Sequence, residues 1–262
     1  MSSKAARDHL SFSNVSFSYK GRPPSSLSIF ENITVSVKEK EFVSILGPSG
    51  SGKSTFFRLA TGLEQPDTGS ISISQKEEKN RLGKVGYMPQ QDLLLPWRTV
   101  LENGVLPMEL QGVSRKEAKK QVLSHMKEFG LEGKENVYPQ QLSGGMRQRV
   151  SFLRAILGGA DILLLDEPFS ALDSMTRFMM QEWLLLQWQK WEKTIIFITH
   201  DVEEAIFLSD RILMLTPPPI QTEFETIDVT LPRPRTEESR SSPVFMELKQ
   251  RLLQKMRARI EL

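Results

Sequence analysis

The feature of this sequence that most constrains its fold is a glycine-rich run, Gly47–Ser54, which matches the pattern G-x-x-x-x-G-K-[ST]. The run follows the compact apolar segment Glu41–Leu46, which is typical of a buried strand, and a helical pattern starts near Lys53. A strand before the run and a helix after it are the context in which such a run binds phosphate. The sequence therefore predicts a strand–loop–helix unit that holds an oligophosphate.

Each residue type in this run has a physical role in holding phosphate. Glycines let the backbone wrap the anion so that successive N–H groups point inward, and the start of the helix adds partial positive charge. The Lys53 ammonium would neutralise phosphate oxygens, and the Ser54 hydroxyl is an oxygen ligand of the kind that Mg²⁺ prefers. The residues predicted to surround the phosphates are Gly47, Pro48, Ser49, Gly50, Ser51, Gly52, Lys53, Ser54 and Thr55.

Composition excludes several classes of protein. The chain has 262 residues, of which 39% are hydrophobic and 25% charged, values typical of a folded globular chain. The net charge of +2 argues against a general attraction to nucleic acid, and a chain with 0 cysteines cannot form disulfides or thiolate metal sites. No apolar run approaches the ~20 residues that cross a bilayer, and the start lacks a secretory signal. We therefore expect a cytoplasmic chain that does not span a membrane alone and does not bind nucleic acid.

A second apolar run, Ile162–Leu165, ends in two acids, Asp166 and Glu167. At the carboxyl edge of a parallel sheet these acids would lie where such sheets bind ligands. Asp166 would then hold Mg²⁺, and Glu167 would act as the general base for water. Two acids at a strand end can also simply face solvent, but the predicted phosphate loop favours the functional interpretation.

The order of the remaining patterns predicts an α/β fold. Alternating apolar residues over 10–37 indicate β segments, and residues 75–83 form a polar loop. A helical stretch is expected from about Pro107 to Gly133, and a helix over Ser174–Trp191 separates two strand-like runs. After Leu215 a polar tail leads to an amphipathic helix from Pro243, with Ser242 as its N-cap. The apolar stripe of that helix, Phe245, Leu248, Leu252, Met256 and Ile260, is expected to pack on the protein itself rather than on lipid.

A second helix start resembles an anion site. Leu142-Ser-Gly-Gly145 opens a helical run that reaches Leu157, with Ser143 in the N-cap position. One chain with one nucleotide has little use for two phosphate-binding helix starts. The second would serve the nucleotide of a neighbour, which suggests a dimer with shared sites.

Six segments in this order resemble the nucleotide-binding subunit of ATP-binding cassette (ABC) transporters over roughly residues 10–215. The resemblance implies a P-loop NTPase core with a mostly parallel sheet, an N-terminal antiparallel β subdomain and a helical insertion subdomain. The ABC ATPase domain would cover 10–220, with the helical subdomain at about 92–158, and residues 221–262 would form the tail. The segments are Gly47–Ser54, Gln90, Leu142–Gly145, Ile162–Glu167, Ser170–Asp173 and His200.

The resemblance also implies cofactors and residue roles. ATP and Mg²⁺ would be bound, with Tyr19 stacking on adenine and with Ser54, Gln90 and Asp166 around the metal. Glu167 and His200 would be catalytic, and Asp173 would couple two sites. Tyr19 could instead be an ordinary half-buried tyrosine, and His200 a satisfied core histidine. The signature residues Ser143, Gly144 and Gly145 would contact the nucleotide of a second copy.

Less specific sequence features resemble one subgroup of the family. Met146 stands where the family usually has glutamine, and this form, with segments 94–103 and 231–235, resembles the importers of nitrate, taurine, aliphatic sulfonates and thiamine precursors. The implied function is ATP hydrolysis that energises uptake of a small anionic or heterocyclic solute. The implied partners are a second copy of the chain, transmembrane permease subunits and an external solute-binding protein, at the cytoplasmic face of the inner membrane.

Two alternatives stay open beside a transport role. A soluble ABC ATPase of the iron–sulfur assembly type would share the same motifs, whereas the DNA-repair type needs a long coiled coil, for which the chain has no sustained heptads. A regulator that binds but does not hydrolyse nucleotide is disfavoured by Glu167 and His200.

The apolar segment Leu93–Trp97, followed by Arg98, predicts a contact with the permease. Exposed apolar loops are often interaction sites, and tryptophan and arginine are favoured interface anchors. The predicted docking residues are Leu94, Trp97 and Arg98. The alternative is that these side chains fill the seam between the helical insertion and the sheet core.

Overall fold

The computed structural model describes residues 7–20, 26–221 and 224–260, which belong to two compact units. The first unit combines the chain up to Leu82 with the residues from Gln181 onward, and the second is Gly83–Met180. The first unit is therefore discontinuous in sequence, with the second inserted between its halves.

An antiparallel sheet begins the first unit. The long strands β1 (Asp8–Lys20) and β2 (Ser26–Lys38) pair along most of their length. Leu10 and Phe12 are buried and so are Val15 and Phe17, because a bulge at Asn14, with φ 50°, shifts the alternation by one residue. The sheet is completed by β4 (Thr68–Ile73), β5 (Lys76–Glu77) and β10 (Ile220–Gln221), in the order β10-β2-β1-β4-β5.

The second group of strands in this unit is mostly parallel. β3 (Phe42–Leu46) lies between β8 (Thr194–Thr199) and β9 (Arg211–Met214) and is parallel to both. β11 (Glu225–Asp228) pairs antiparallel with β9. Every residue of β3 and β8 is buried, as expected for strands covered on both faces. The predicted mixed α/β fold with a mostly parallel sheet is confirmed.

The helices of the first unit are α1 (Lys53–Thr61), α6 (Val202–Leu208) and α7 (Pro243–Ile260), with a short 3-10 helix at Glu237–Ser241. A longer helix, α5 (Ser174–Trp191), contributes residues to both units.

The C-terminal tail is more structured than its polar composition predicts. It supplies β11 and, after it, a buried Arg235. The Ser242 hydroxyl accepts a hydrogen bond from Phe245 N at 3.3 Å, so the predicted N-cap of α7 is confirmed. Phe245, Leu248 and Leu252 are buried and Met256 is half-buried, as expected for a helix packed on the protein, while the side chain of Ile260 lies outside the described residues.

The second unit contains two parallel strands and three helices of its own. β6 (Gly86–Met88) pairs with β7 (Ile162–Asp166). The helices are α2 (Val100–Leu110), α3 (Arg115–Met126) and α4 (Gly144–Leu157), with a 3-10 helix at Pro139–Gln141. Within the part of the chain that the structure describes, no helix is both long and apolar enough to cross a bilayer.

The predicted bounds of the helical stretch were wrong at both ends. α2 begins at Val100 rather than near Pro107, because Thr99 and Glu102 form a reciprocal capping box and the helix continues through the proline. The helical stretch ends at Met126, and the chain runs through turns as far as Gly133.

Candidate active site

The phosphate loop, residues 47–54, connects β3 to α1 in the first unit. Gly50 and Gly52 have φ of 80° and 88°, a left-handed conformation that glycine adopts without strain. Gly52 is the N-cap of α1, and a Cβ there would lie 2.8 Å from Ile29 Cγ2. Among the described residues Gly52 makes no side-chain cap hydrogen bond, so the start of α1 can offer N–H groups to an anion.

The side chains of the loop place a cation and a hydroxyl against its backbone. Lys53 is buried, and its Nζ donates to the carbonyl oxygens of Gly47 and Pro48 at 2.9 and 2.8 Å. Ser51 Oγ is buried without a hydrogen-bond partner among the described residues. Ser49 and Ser54 are exposed. A cation and an unpaired hydroxyl in one glycine-rich loop fit an oligophosphate ligand.

Tyr19 lies beside this loop. Its hydroxyl is 3.3 Å from Thr55 Oγ1, and its ring packs edge-on against Phe17, with 4.9 Å between the centroids. Tyr19 is 36% exposed, so an aromatic face remains partly open next to the start of α1.

His200 follows the neighbouring strand. Leu46 and Thr199 are register partners in the parallel pair of β3 and β8, so Gly47 and His200 leave adjacent strands at the same sheet edge. His200 is exposed, and the next residue, Asp201, is the N-cap of α6. The structure therefore brings His200 to the edge that carries the phosphate loop, instead of burying it in the core.

The second unit carries the acidic pair. Asp166 is buried at the end of β7, and Glu167 follows with a left-handed φ of 47°. Gln90 comes soon after β6, whose Met88 is the register partner of Leu165 in β7. The Gln90 Nε2 donates to Glu167 Oε2 at 3.0 Å, a hydrogen bond that the sequence did not predict.

The signature segment opens α4 as expected. Ser143 is the N-cap, and its hydroxyl accepts a hydrogen bond from Met146 N at 3.3 Å. Gly144 follows at the first position of the helix. At Gly145 a Cβ would lie 2.8 Å from Leu172 Cδ2, so glycine permits close packing there.

Asp173 lies close in sequence to the acidic pair and directly precedes α5. Its Oδ1 accepts a hydrogen bond from Thr176 N at 3.0 Å. Hydrogen bonds from the side chain and the backbone of Thr176 stabilise the charged form and hold the pKa of Asp173 below its usual value.

The donor set suits a metal that arrives with phosphate. Among residues 7–20, 26–221 and 224–260, no three His, Asp or Glu side chains cluster as a self-sufficient metal site. Mg²⁺ is commonly held by one or two protein oxygens together with substrate phosphates. Each predicted donor offers an oxygen of the kind that Mg²⁺ takes: the hydroxyl of Ser54 in the first unit, and the amide of Gln90 and the carboxylate of Asp166 in the second.

The predicted docking segment is only partly exposed. Trp97 is 70% exposed, so it does not fill an internal seam, and Leu93 is exposed as well. Leu94 is 8% exposed, which corrects its prediction as a surface contact. Arg98 Nη1 donates to Glu109 Oε2 at 2.7 Å, which holds its guanidinium against α2.

The sequence did not predict a role for Arg154. From α4 its guanidinium donates to the carbonyl oxygens of Asp92 and Leu93, at 2.7 and 2.8 Å, and so supports the segment after Gln90. Burial lowers the pKa of Arg154, and the nearby Asp92 carboxylate opposes that shift. No motif marks this arginine, because its role depends on a contact across about 60 residues.

Comparison with known proteins identifies the family. The family model described as ABC transporter matches residues 30–170. The formylaminopyrimidine import ATP-binding protein ThiZ of Halalkalibacterium halodurans is 50% identical over 214 residues, 82% of each chain. The aliphatic sulfonates import ATP-binding protein SsuB of Bacillus cereus is 38% identical over 236 residues, 90% of this chain and 91% of that protein.

A solved structure agrees with these relatives. The dimeric ATP-binding cassette MJ0796, in a post-hydrolysis state bound to ADP and Pi, superposes with a TM-score of 0.76 at 33% identity, over 84% of this chain and 98% of that one. The chain therefore belongs to the ABC transporter family.

Proposed function

We propose that this chain binds ATP and Mg²⁺ at its phosphate loop and hydrolyses ATP to energise the uptake of a small anionic or heterocyclic solute. The observation that carries the hydrolytic part is the hydrogen bond between Gln90 and Glu167, beside the buried Asp166. A carboxylate held in this way is oriented to accept a proton from water.

The relatives support the proposed class of solute. A formylaminopyrimidine is a heterocycle, and aliphatic sulfonates are anions. The solute itself would contact the permease subunits and an external solute-binding protein rather than this chain. Both relatives support an importer for small polar molecules.

Nucleotide binding uses residues of the first unit. Residues 47–55 would surround the phosphates, with Lys53 as the cation, while Tyr19 would stack on the adenine. The unpaired Ser51 hydroxyl and the uncapped start of α1 support this assignment. Ser54, Gln90 and Asp166 would hold Mg²⁺, which neutralises phosphate charge when it is bound.

Hydrolysis would use Glu167 as the general base, with His200 near the γ-phosphate. Gln90 orients the Glu167 carboxylate through its amide N–H and so links the base to the segment that Arg154 supports. The left-handed backbone at Glu167 fixes the direction in which its side chain leaves the strand.

Two copies would act together. The signature residues Ser143, Gly144 and Gly145 would bind the nucleotide of the second copy, and Asp173 would couple the two sites. The N-terminus of α4 supplies N–H groups and partial positive charge for that purpose. The dimeric state of the solved relative supports a homodimer.

Docking to the permease would use the second unit, at the cytoplasmic face of the inner membrane. Trp97 and the neighbouring Leu93 are exposed, whereas Arg98 reaches the surface only in part. A groove of about 340 Å³ in the same unit would take a cytoplasmic helix of a permease subunit. Its apolar lining includes Val85, Tyr87, Leu106, Pro107, Leu110 and Ala155.

Lys53→Ala tests the nucleotide site. We expect ATP to bind about tenfold to a hundredfold more weakly, because a charge-assisted contact to phosphate is lost. Isothermal titration calorimetry measures the affinity and phosphate release measures turnover. Lys116→Ala, which removes an exposed lysine of α3, is the matched control. Equal ATP affinity in the two variants would overturn the assignment.

Copurification from detergent-solubilised membranes tests the transport role. We expect the chain to elute with an integral membrane protein that mass spectrometry identifies as a permease subunit. Recovery only with soluble assembly factors would favour the iron–sulfur assembly type of ABC ATPase instead.

A further inference from the structure

A chain of hydrogen-bonded side chains in the first unit leads from the C-terminal segment to the residue before His200. We name Thr199, Glu204, Gln181 and Arg240 the Glu204 relay. Arg240 Nη2 donates to Gln181 Oε1 at 2.5 Å, and Gln181 Nε2 donates to Glu204 Oε1 at 2.9 Å. Thr199 Oγ1 then donates to Glu204 Oε2 at 2.6 Å.

Thr199 and Asp201, the residues before and after His200, are joined by a hydrogen bond. The Thr199 hydroxyl accepts it at 3.0 Å from the backbone N–H of Asp201. One hydroxyl therefore closes the turn that contains His200 between β8 and α6. Asp201 in turn caps α6 by accepting from the N–H groups of Glu203 and Glu204.

The relay fixes the direction of each hydrogen bond. Both carboxyl oxygens of Glu204 accept, Oε2 from Thr199 and Oε1 from Gln181, so the single proton of Thr199 points toward Glu204 and its lone pairs are left for Asp201 N–H. The amide of Gln181 is oriented in the same way, with its nitrogen toward Glu204 and its oxygen toward Arg240. Glu204 is 6% exposed, and hydrogen bonds among buried polar groups reinforce one another.

The far end of the relay is anchored in the C-terminal segment. Arg240 lies in the 3-10 helix that precedes α7, and its guanidinium stacks 4.3 Å from the centre of the Phe207 ring. Glu203 joins the same segment, because it accepts from Arg240 Nη1 at 3.5 Å and from Lys249 Nζ at 2.5 Å. Burial of Phe245 holds α7 in place.

We propose that Glu204 and Arg240 are positioning residues for His200, so that the C-terminal segment sets the orientation of the histidine used in ATP turnover. The structural part rests on the contacts alone, and the kinetic part rests on the role proposed above for His200. None of the four residues of the Glu204 relay belongs to the motif segments that predict nucleotide binding.

Imidazole NMR of the full-length protein without nucleotide tests the positioning directly. The chain has 3 histidines, so three imidazole signals can be assigned with single histidine variants. We expect Thr199→Val and Arg240→Gln each to shift the His200 signal, while the signals of His9 in the first unit and His125 in the second stay unchanged and report that both units are intact. Arg251→Gln, which removes an exposed arginine from α7, is the matched control and should leave all three signals in place. Unshifted His200 signals in both relay variants would overturn the proposal.

ATP turnover tests the consequence. We expect Arg240→Gln and Thr199→Val to lower kcat about fivefold with an unchanged KM for ATP, the effect of losing one net hydrogen bond. Thr199→Ser keeps the hydroxyl, so its kcat should lie within about twofold of the wild-type kcat. A rise in KM instead of a fall in kcat, or failure of the serine variant to restore turnover, would contradict positioning.

His200→Ala separates this proposal from the proposed function. If His200→Ala hydrolyses ATP as fast as wild type, the role of His200 in turnover is wrong, and the NMR result alone decides on positioning. If His200→Ala is slow but Arg240→Gln turns over like wild type, the proposed function stands and the relay proposal falls.

Discussion

Glu167 adopts a left-handed backbone conformation directly after the buried Asp166, with φ 47°. Such a conformation costs a residue with a side chain about 1–3 kcal/mol, which the surrounding structure must offset. Gln90 contributes through its hydrogen bond to the Glu167 carboxylate. The proposed base is thus held by its backbone conformation and by an amide donor to its carboxylate.

Glu167→Gln should therefore stop turnover and keep the site otherwise intact. The amide has nearly the shape of the carboxylate but cannot accept a proton from water, so we expect kcat to fall at least about a hundredfold. ATP affinity should stay near that of wild type, and an ATP-bound dimer should accumulate. Phosphate release and size-exclusion chromatography with ATP measure the two effects.

The control for this experiment is Glu128→Gln, which changes an exposed glutamate of the second unit. It should hydrolyse ATP like wild type. Continued hydrolysis by Glu167→Gln, with only monomer in the presence of ATP, would show that Glu167 is not the base.

Local sequence predicts the separate parts of the site better than their contacts. The phosphate loop and the Asp166–Glu167 pair could be predicted because each lies at the end of an apolar strand. The hydrogen bond from Gln90 to Glu167 could not, because it joins residues 77 positions apart that approach only when β6 pairs with β7. The prediction that Leu94 is a surface contact was wrong for a similar reason, since tertiary packing decides which leucine of a short loop is buried.

At the scale of elements, the C-terminus of α6 depends on two arginines of the tail. Arg235 Nη1 donates to the carbonyl oxygens of Ile206, Phe207 and Ser209, at 3.0, 3.0 and 2.8 Å. Arg233 Nη2 donates to Leu208 O at 2.8 Å. These donors satisfy carbonyl groups that the helix leaves unpaired, and their positive charge suits the negative end of the helix.

Arg235→Leu should therefore destabilise the first unit. Burial and the neighbouring Arg233 lower the pKa of Arg235 to about 9, which still leaves it protonated at neutral pH. The variant leaves several buried carbonyl groups without a donor, so we expect the free energy of unfolding to fall by about 3 kcal/mol. Urea denaturation measures the change. Arg257→Leu, at an exposed position of α7, should change the free energy of unfolding little. Equal free energies of unfolding for the two variants would refute the capping role of Arg235.

The shortest strands could not be predicted from the sequence. β10 and β11 have 2 and 4 residues, too few for a recognisable alternation, and they exist because β2 and β9 offer them an edge. The start of α2 could have been predicted, since Thr99-x-x-Glu102 is a capping-box pattern. Pro107 obscured it, because a proline usually ends or kinks a helix.

At the scale of the whole molecule, the exposed Trp97 is the residue through which we propose that the subunit contacts its permease. Trp97→Ala should keep the fold and the basal ATPase activity, because a side chain 70% exposed contributes little to packing. We expect assembly with the permease to weaken by about 30-fold, the effect of removing a hot-spot residue of about 2 kcal/mol. Reconstitution with the copurified permease measures both assembly and transport.

Leu63→Ala, at an exposed leucine after α1, is the control for loss of surface apolar area. It should assemble and transport normally. If Trp97→Ala unfolds, or assembles as well as Leu63→Ala, the docking role is wrong.

The division of the first unit between the two ends of the chain affects its biogenesis. β3 pairs with β8 and β9, strands that a ribosome makes only after it has completed the second unit. At about 5–20 residues per second, the inserted segment Gly83–Met180 takes on the order of 5–20 s to synthesise. During that interval the apolar β3 has none of its partner strands, while the continuous second unit is already free to fold. The nascent chain is therefore most exposed to aggregation before release, and chaperone binding at this stage would protect the strand that later carries the phosphate loop.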